Sequence, residues 1–226
     1  MRLASALLLF GLIVTTATPI HAATPDYLRE AVSRFSAEVP AGWAYTVTTT
    51  RGDEVSVERF DPSRPRGGEW TLLQRNGQAA TAEDIERYRR YKAGNAPTGA
   101  RATFERGDLD VESAELLRED GERAEFQVRF RGDIDQPLLA HVFLELSVRK
   151  SPAAVERSVL RLFEPFAPAM GVRMHELAVT TLFAPPTDEA PPLPLEVTSR
   201  FRGRMFFLVP INEDVRLVYA DFARVK

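Results

Sequence analysis

Past residue 22 the chain shows two kinds of apolar periodicity. Tyr27, Leu28, Ala31, Val32, Phe35 and Val39 recur at three- and four-residue intervals and share one face of a helix. Thr24 is placed to cap that helix, Pro25 suits its first position, and Asp26 meets the positive end of its dipole. Pro40 and Gly42 end it. From Trp43 the period drops to two: Trp43, Tyr45 and Val47 share one strand face, and Val55 and Val57 share one on the next strand, beyond Gly52-Asp53. A third strand carries Trp70 and Leu72 and turns at Asn76-Gly77, a pair in which positive φ costs little. Thr81 with Asp84 three residues on resembles a capping box, opening a second helix to about Ala93.

The second half is dominated by strands. Ala124, Phe126, Val128 and Phe130 alternate with Arg123, Glu125, Gln127, Arg129 and Arg131, giving one dry and one wet face. Val142, Leu144, Leu146 and Val148 repeat the pattern. Strands are expected to follow at 159–163, 172–183, 193–201, 203–209 and 215–225. Within 172–183 the apolar parity shifts from Val172 and Met174 to Leu177 and Val179, which predicts a bulge.

About ten strands with short links and two helices predict an α+β protein built on a highly curved antiparallel sheet, an incomplete barrel with both helices on its concave face. The apolar stripe of the first helix needs a surface to cover, and that face supplies one. A concave face of this breadth exceeds what two short helices fill. The side chains expected to line the remaining cavity are Trp43, Tyr45, Val47, Val55, Val57, Trp70, Leu72, Phe126, Val128, Phe130, Leu144 and Leu146.

The N-terminus changes the setting. Arg2, the apolar run from Ala6 to Val14 and the ending His21-Ala22-Ala23 have the layout of a secretory signal peptide, with cleavage expected after Ala22 or Ala23. The run is too short for a transmembrane anchor, so residues 1–22 are expected to be removed and 23–226 to form a single periplasmic domain without stable membrane insertion. Its 28 basic and 32 acidic residues leave a formal charge of −4, a poor match to nucleic acid. With no cysteine there is neither a disulfide framework nor a lipid-acceptor thiol.

Chemistry is sparse. His141 and His175 are the histidines beyond the signal segment, and zinc needs three or four clustered ligands, so no metal and no other cofactor is expected. The sequence holds no nucleophile elbow and no phosphate loop, and no catalytic residue is assigned. The proline-set loop Asp61-Pro62-Ser63-Arg64-Pro65-Arg66 lies beside the Trp70 strand, where Arg64 and Arg66 are candidates for contact with an anionic headgroup. The helix that opens after Thr81 has acids early and bases late, an arrangement that serves its own stability.

The segment Arg59-Phe60-Asp61-Pro62-Ser63-Arg64-Pro65, with Trp70-Thr71-Leu72-Leu73 and Asn76-Gly77, resembles secreted relatives of the periplasmic lipoprotein carriers. That superfamily also includes an envelope-stress sensor of the sigma-factor pathway. The likeness in layout covers the chain beyond the signal segment, and the likeness in motif covers Phe60 to Asp84. It implies a half-barrel whose apolar face receives a lipid, an acyl chain or an envelope lipoprotein segment, without catalysis. The alternative it implies is a protein-interaction or stress-sensor module holding no lipid. The first hairpin loop is shorter than in the carriers, and the anchoring cysteine of the receptor is missing.

Overall fold

The computed structural model describes residues 23–94, 104–187, 189–206 and 208–225. The expected signal segment, 1–22, lies outside them. The first helix, α1 (Asp26–Ser33), is shorter than its periodicity suggests. Its cap position is Pro25, which has no side-chain acceptor, and the Thr24 hydroxyl instead donates to Glu112 Oε2 at 3.0 Å. The Ser33 hydroxyl, in the last residue of α1, donates to the Glu30 carbonyl, and that of Ser36, just beyond, to the Glu38 carbonyl, local bonds that compete with continued helix. Phe35 is buried nonetheless.

Among the described residues twelve antiparallel strands follow. The first half holds β1 (Trp43–Arg51), β2 (Glu54–Phe60), β3 (Trp70–Arg75), β4 (Gln78–Ala79), α2 (Ala82–Gly94), β5 (Leu109–Glu119) and β6 (Arg123–Phe130). The second holds β7 (Val142–Lys150), β8 (Ala153–Leu162), β9 (Phe166–Ala169), β10 (Val172–Phe183), β11 (Pro194–Met205) and β12 (Val209–Arg224). They form one open sheet in the order β4-β3-β2-β1-β12-β11-β10-β8-β7-β6-β5, with β9 paired to β10. The sheet does not close, the expected strand at 203–209 divides between β11 and β12, and β4 and β9 are short strands that the periodicity does not predict.

Several local expectations reappear as geometry. Asn76 and Gly77 both take left-handed φ, 50° and 79°, as a tight hairpin requires. Thr81 and Asp84 bond reciprocally through Thr81 Oγ1 and Asp84 Oδ2 at the start of α2. The parity shift in β10 is a register break between Met174 and Glu176. One boundary differs: Gly203 does not separate two strands but lies inside β11. A Cβ there would stand 2.7 Å from the Arg173 carbonyl oxygen, so glycine lets β10 come close, and the chain turns later, at Phe206 (φ 49°).

The core lies under α1. Leu28, Ala31, Val32 and Phe35 pack on Ala124, Phe126 and Val128 of β6, Leu144, Leu146 and Val148 of β7, and Val155 and Leu160 of β8. Phe35 meets Phe183 of β10 edge-on at 5.5 Å. The opposite face of the sheet is laced with ion pairs such as Arg161–Glu145 (3.0 Å) and Arg202–Asp214 (2.7 Å), with Ala154 and Val159 buried among its long side chains.

Polar contacts pin α1 to β5. Arg29 pairs with Glu112 at 2.9 Å, and Tyr27 donates to Glu119 at 3.1 Å, where Lys150 also pairs at 2.8 Å. Hydrogen bonds from Arg29 and Thr24 hold the Glu112 carboxyl below its ordinary range, and those from Lys150 and Tyr27 do the same for Glu119. A carboxylate made more acidic by folding contributes stability above the unfolded glutamate range and loses it as pH falls through the lowered value. Glu112→Gln is therefore expected to melt below the wild type at neutral pH, and the gap is expected to close as pH falls through and below the ordinary glutamate range. Melting curves by circular dichroism across that range test this.

Candidate apolar binding face

Cross-strand partners in an antiparallel sheet share a face, so the register shows where each helix sits. One row runs Ser56, Thr49, Leu217, Val197, Thr181, Ser158, Leu146, Phe126, across β2, β1, β12, β11, β10, β8, β7 and β6. A second runs Glu54, Arg51, Val215, Ser199, Val179, Leu160, Leu144, Val128. At one end both rows lie beneath α1. At the other, Glu58, two residues from Ser56, accepts a hydrogen bond from Tyr88 of α2 at 2.7 Å and pairs with Lys92 at 3.1 Å. Both helices thus stand on the same face, at opposite ends of the sheet.

Between them, among the described residues, lies a strip that neither helix covers. From β8 to β3 there are six strand spacings, about 29 Å along the sheet at ~4.8 Å each. Two helices of about 10 Å diameter cover only part of that width. Phe126 and Leu146 are fully buried and Ser158 and Thr181 nearly so, while Val197, Leu217 and Thr49 are half-buried. Leu177, Val179, Phe201 and Val215 share the strip and are also half-buried. Its floor is apolar apart from serine and threonine hydroxyls and the Arg51–Glu213 pair at 3.0 Å.

The α2 side of the strip is bounded by an aromatic group. Tyr45 touches Phe60 at 5.2 Å, Trp70 at 5.9 Å, Tyr219 at 5.6 Å and Phe222 at 6.0 Å between ring centroids. The Lys92 ammonium lies 4.2 Å above Trp70. A hollow of about 360 Å³ opens between α2 and β1–β3, lined by Thr49, Arg51, Glu58, Leu72, Arg75 and Tyr88 among others. Burial, and then the bond to Glu58, push the Tyr88 hydroxyl well above the ordinary tyrosine range, so it remains a donor. A larger hollow, about 540 Å³, lies beyond the core at Phe130, Ile134, Leu139 and Phe163.

The residues expected to line a cavity fall into four groups. Phe126, Val128, Leu144 and Leu146 pack solidly under α1. Trp43, Tyr45, Val47, Trp70 and Leu72 lie towards α2, with Val47 and Leu72 buried. Val55 and Val57 pair with Thr50 and Thr48, on the face away from Tyr45 and Glu58, although Val55 also borders the smaller hollow. Phe130 sits at the larger hollow, edge-on to Phe104 at 5.0 Å. Both loop arginines are exposed, and Arg64 donates to Thr71 Oγ1 at 2.6 Å and lies 3.6 Å from Asp61. The strip residues Leu177, Val179, Val197, Phe201, Val215 and Leu217 stood in recognised strands. What the sequence did not reveal was that those strands lie between the two helices.

The histidines are apart. His141 Nδ1 lies 3.0 Å from Glu164 and its ring stacks on Phe166 at 4.3 Å, while His175 is exposed at the β10 register break. Among the described residues no three of His, Asp and Glu are placed to hold a metal ion, and no helix is long and apolar enough to cross a membrane.

No protein-family model matches the sequence, and no curated protein matches it. Among solved structures the chain is similar to a LolA superfamily protein from Nitrosomonas europaea, at 13% identity and a TM-score of 0.39, over 91% of this chain and 94% of that one.

Proposed function

We propose that this protein is exported to the periplasm and there binds an apolar chain, such as a lipid acyl chain or the acylated end of a lipoprotein, along the strip between α1 and α2. It does so without catalysis. The observation that carries this reading is the half-buried row Val197, Leu217 and Thr49 left open by both helices. An acyl chain covering about 300 Å² of apolar surface there would gain on the order of 7 kcal/mol before association costs, enough for reversible carriage. The hydroxyls on the floor and the hollow beneath α2 offer a polar end its place, since ligand sites combine apolar walls with few polar groups.

The test is uptake of an environment-sensitive apolar dye and its displacement by long-chain fatty acids. The reading expects saturable uptake reversed by the acids. Absence of uptake refutes it. The second reading, an envelope interaction module, has its support in β5, an edge strand of the open sheet on which Leu116 and Leu117 are both exposed. Dye-silent protein that pairs with an extended peptide along β5 would favour that reading instead.

A further inference from the structure

The central strands project beyond their neighbours. Pairing of β1 with β12 ends at Arg51 and Val215, so residues 209–214 pair with β11 alone. On the other flank β8 pairs with β10 only from Ala178 onward, and residues 172–177 are accompanied by β11 and the short β9. At ~3.4 Å per residue this tongue extends about 20 Å past the sheet. Its tip is made of two adjacent turns, joined by the Phe206 N–H donating to the Gly171 carbonyl at 2.6 Å.

The tip is apolar and exposed. Met170 is 99% exposed, Leu208 86% and Phe206 68%, with Met205 and Val209 beside them. A soluble surface rarely gathers so many large apolar side chains at one protrusion without something to cover them. Just behind it Arg173 and Arg204 stand directly opposite each other, both exposed, with no ion pair to either among the described residues. Like charges facing across a ladder repel, so their placement is unfavourable unless an outside anion lies between them. Apolar side chains at the end and unpaired cations one step behind match the depth order of a bilayer surface, hydrocarbon beneath anionic headgroups.

We propose that this tongue docks on anionic membrane surfaces, with Met170, Phe206 and Leu208 entering the headgroup boundary and Arg173 and Arg204 meeting lipid phosphates. The binding strip leads to the same place: its ladder continues from Leu177 and Phe201 through Met174 and Gly203 to Val172, Met205 and Val209. A docked tongue would bring the open end of the strip to the bilayer.

The full chain, expressed with residues 1–22 in place and purified as the cell leaves it, is floated with vesicles of phosphatidylcholine alone or mixed with phosphatidylglycerol. Wild type is expected to float with the mixed vesicles and less with the neutral ones. The double variant Met170→Asp, Leu208→Asp is expected to lose more than about tenfold in partitioning. Arg173→Gln with Arg204→Gln is expected to lose the preference for phosphatidylglycerol, and neither should change the melting temperature appreciably. Failure of wild type to float, or equal flotation of all variants, overturns the proposal. So does sedimentation showing that the tip mutations dissolve a dimer and leave vesicle binding intact. Flotation needs no cargo in the strip and dye uptake needs no membrane, so the two readings fail separately.

Discussion

Replacing Phe126 by alanine is expected to lower stability by about 3–5 kcal/mol, roughly 10 °C or more in melting temperature for a domain of this size. Phe126 is 2% exposed, lies on β6 beneath α1, and contacts Tyr27 at 6.1 Å between ring centroids. The lost ring leaves a void that a β-sheet floor cannot collapse to fill, so transfer and cavity terms add. The short α1, eight residues, amplifies the effect: isolated helices of that length do not persist in water, and α1 exists because Leu28, Ala31, Val32 and Phe35 have a surface to cover. Thermal melts by circular dichroism measure the loss. A change below about 1 kcal/mol would mean that α1 does not rest on this surface.

The same residue shows what could be read from the sequence. Alternation identified the dry face of β6 and β7, and the three-and-four spacing identified the stripe of α1, because each pattern is a local property of its element. Positive φ at Asn76-Gly77 and the Thr81–Asp84 exchange were legible for the same reason. The extent of α1 was not, since Thr24 bonds to β5, 88 residues away, instead of capping its own helix. The binding face was less legible still. Phe126, Val128, Leu144 and Leu146 alternate as a cavity wall would, but they are core because α1 lands on β7 and β8. Val197 and Leu217 alternate in the same way and stay half-open because neither helix lands on them. The difference lies in strand order: β12 is the last strand in sequence yet pairs with the first, which places β10, β11 and β12 at the centre of the sheet. No periodicity encodes that closure.

Leu217→Glu is expected to weaken binding of an apolar dye or fatty acid by more than about tenfold while changing stability by less than about 1 kcal/mol. Leu217 is half-buried at the centre of the strip, opposite Thr49 on one side and Val197 on the other. A carboxylate there can turn to water when the strip is empty, so folding is little affected. A bound alkyl chain would strip that water away, and burying an uncompensated charge costs well over the ~1.4 kcal/mol that corresponds to tenfold. Arg51 lies near enough along the floor to offer a new partner, so Leu217→Lys is the companion: both signs of charge should act alike if desolvation is the cause. Thr198→Glu, on the opposite face of β11, should leave binding unchanged. Phe126→Ala should show the reverse pattern, a large loss of stability with dye affinity retained below its melting temperature. If Leu217→Glu and Leu217→Lys bind dye as the wild type does, the ligand does not lie on this strip.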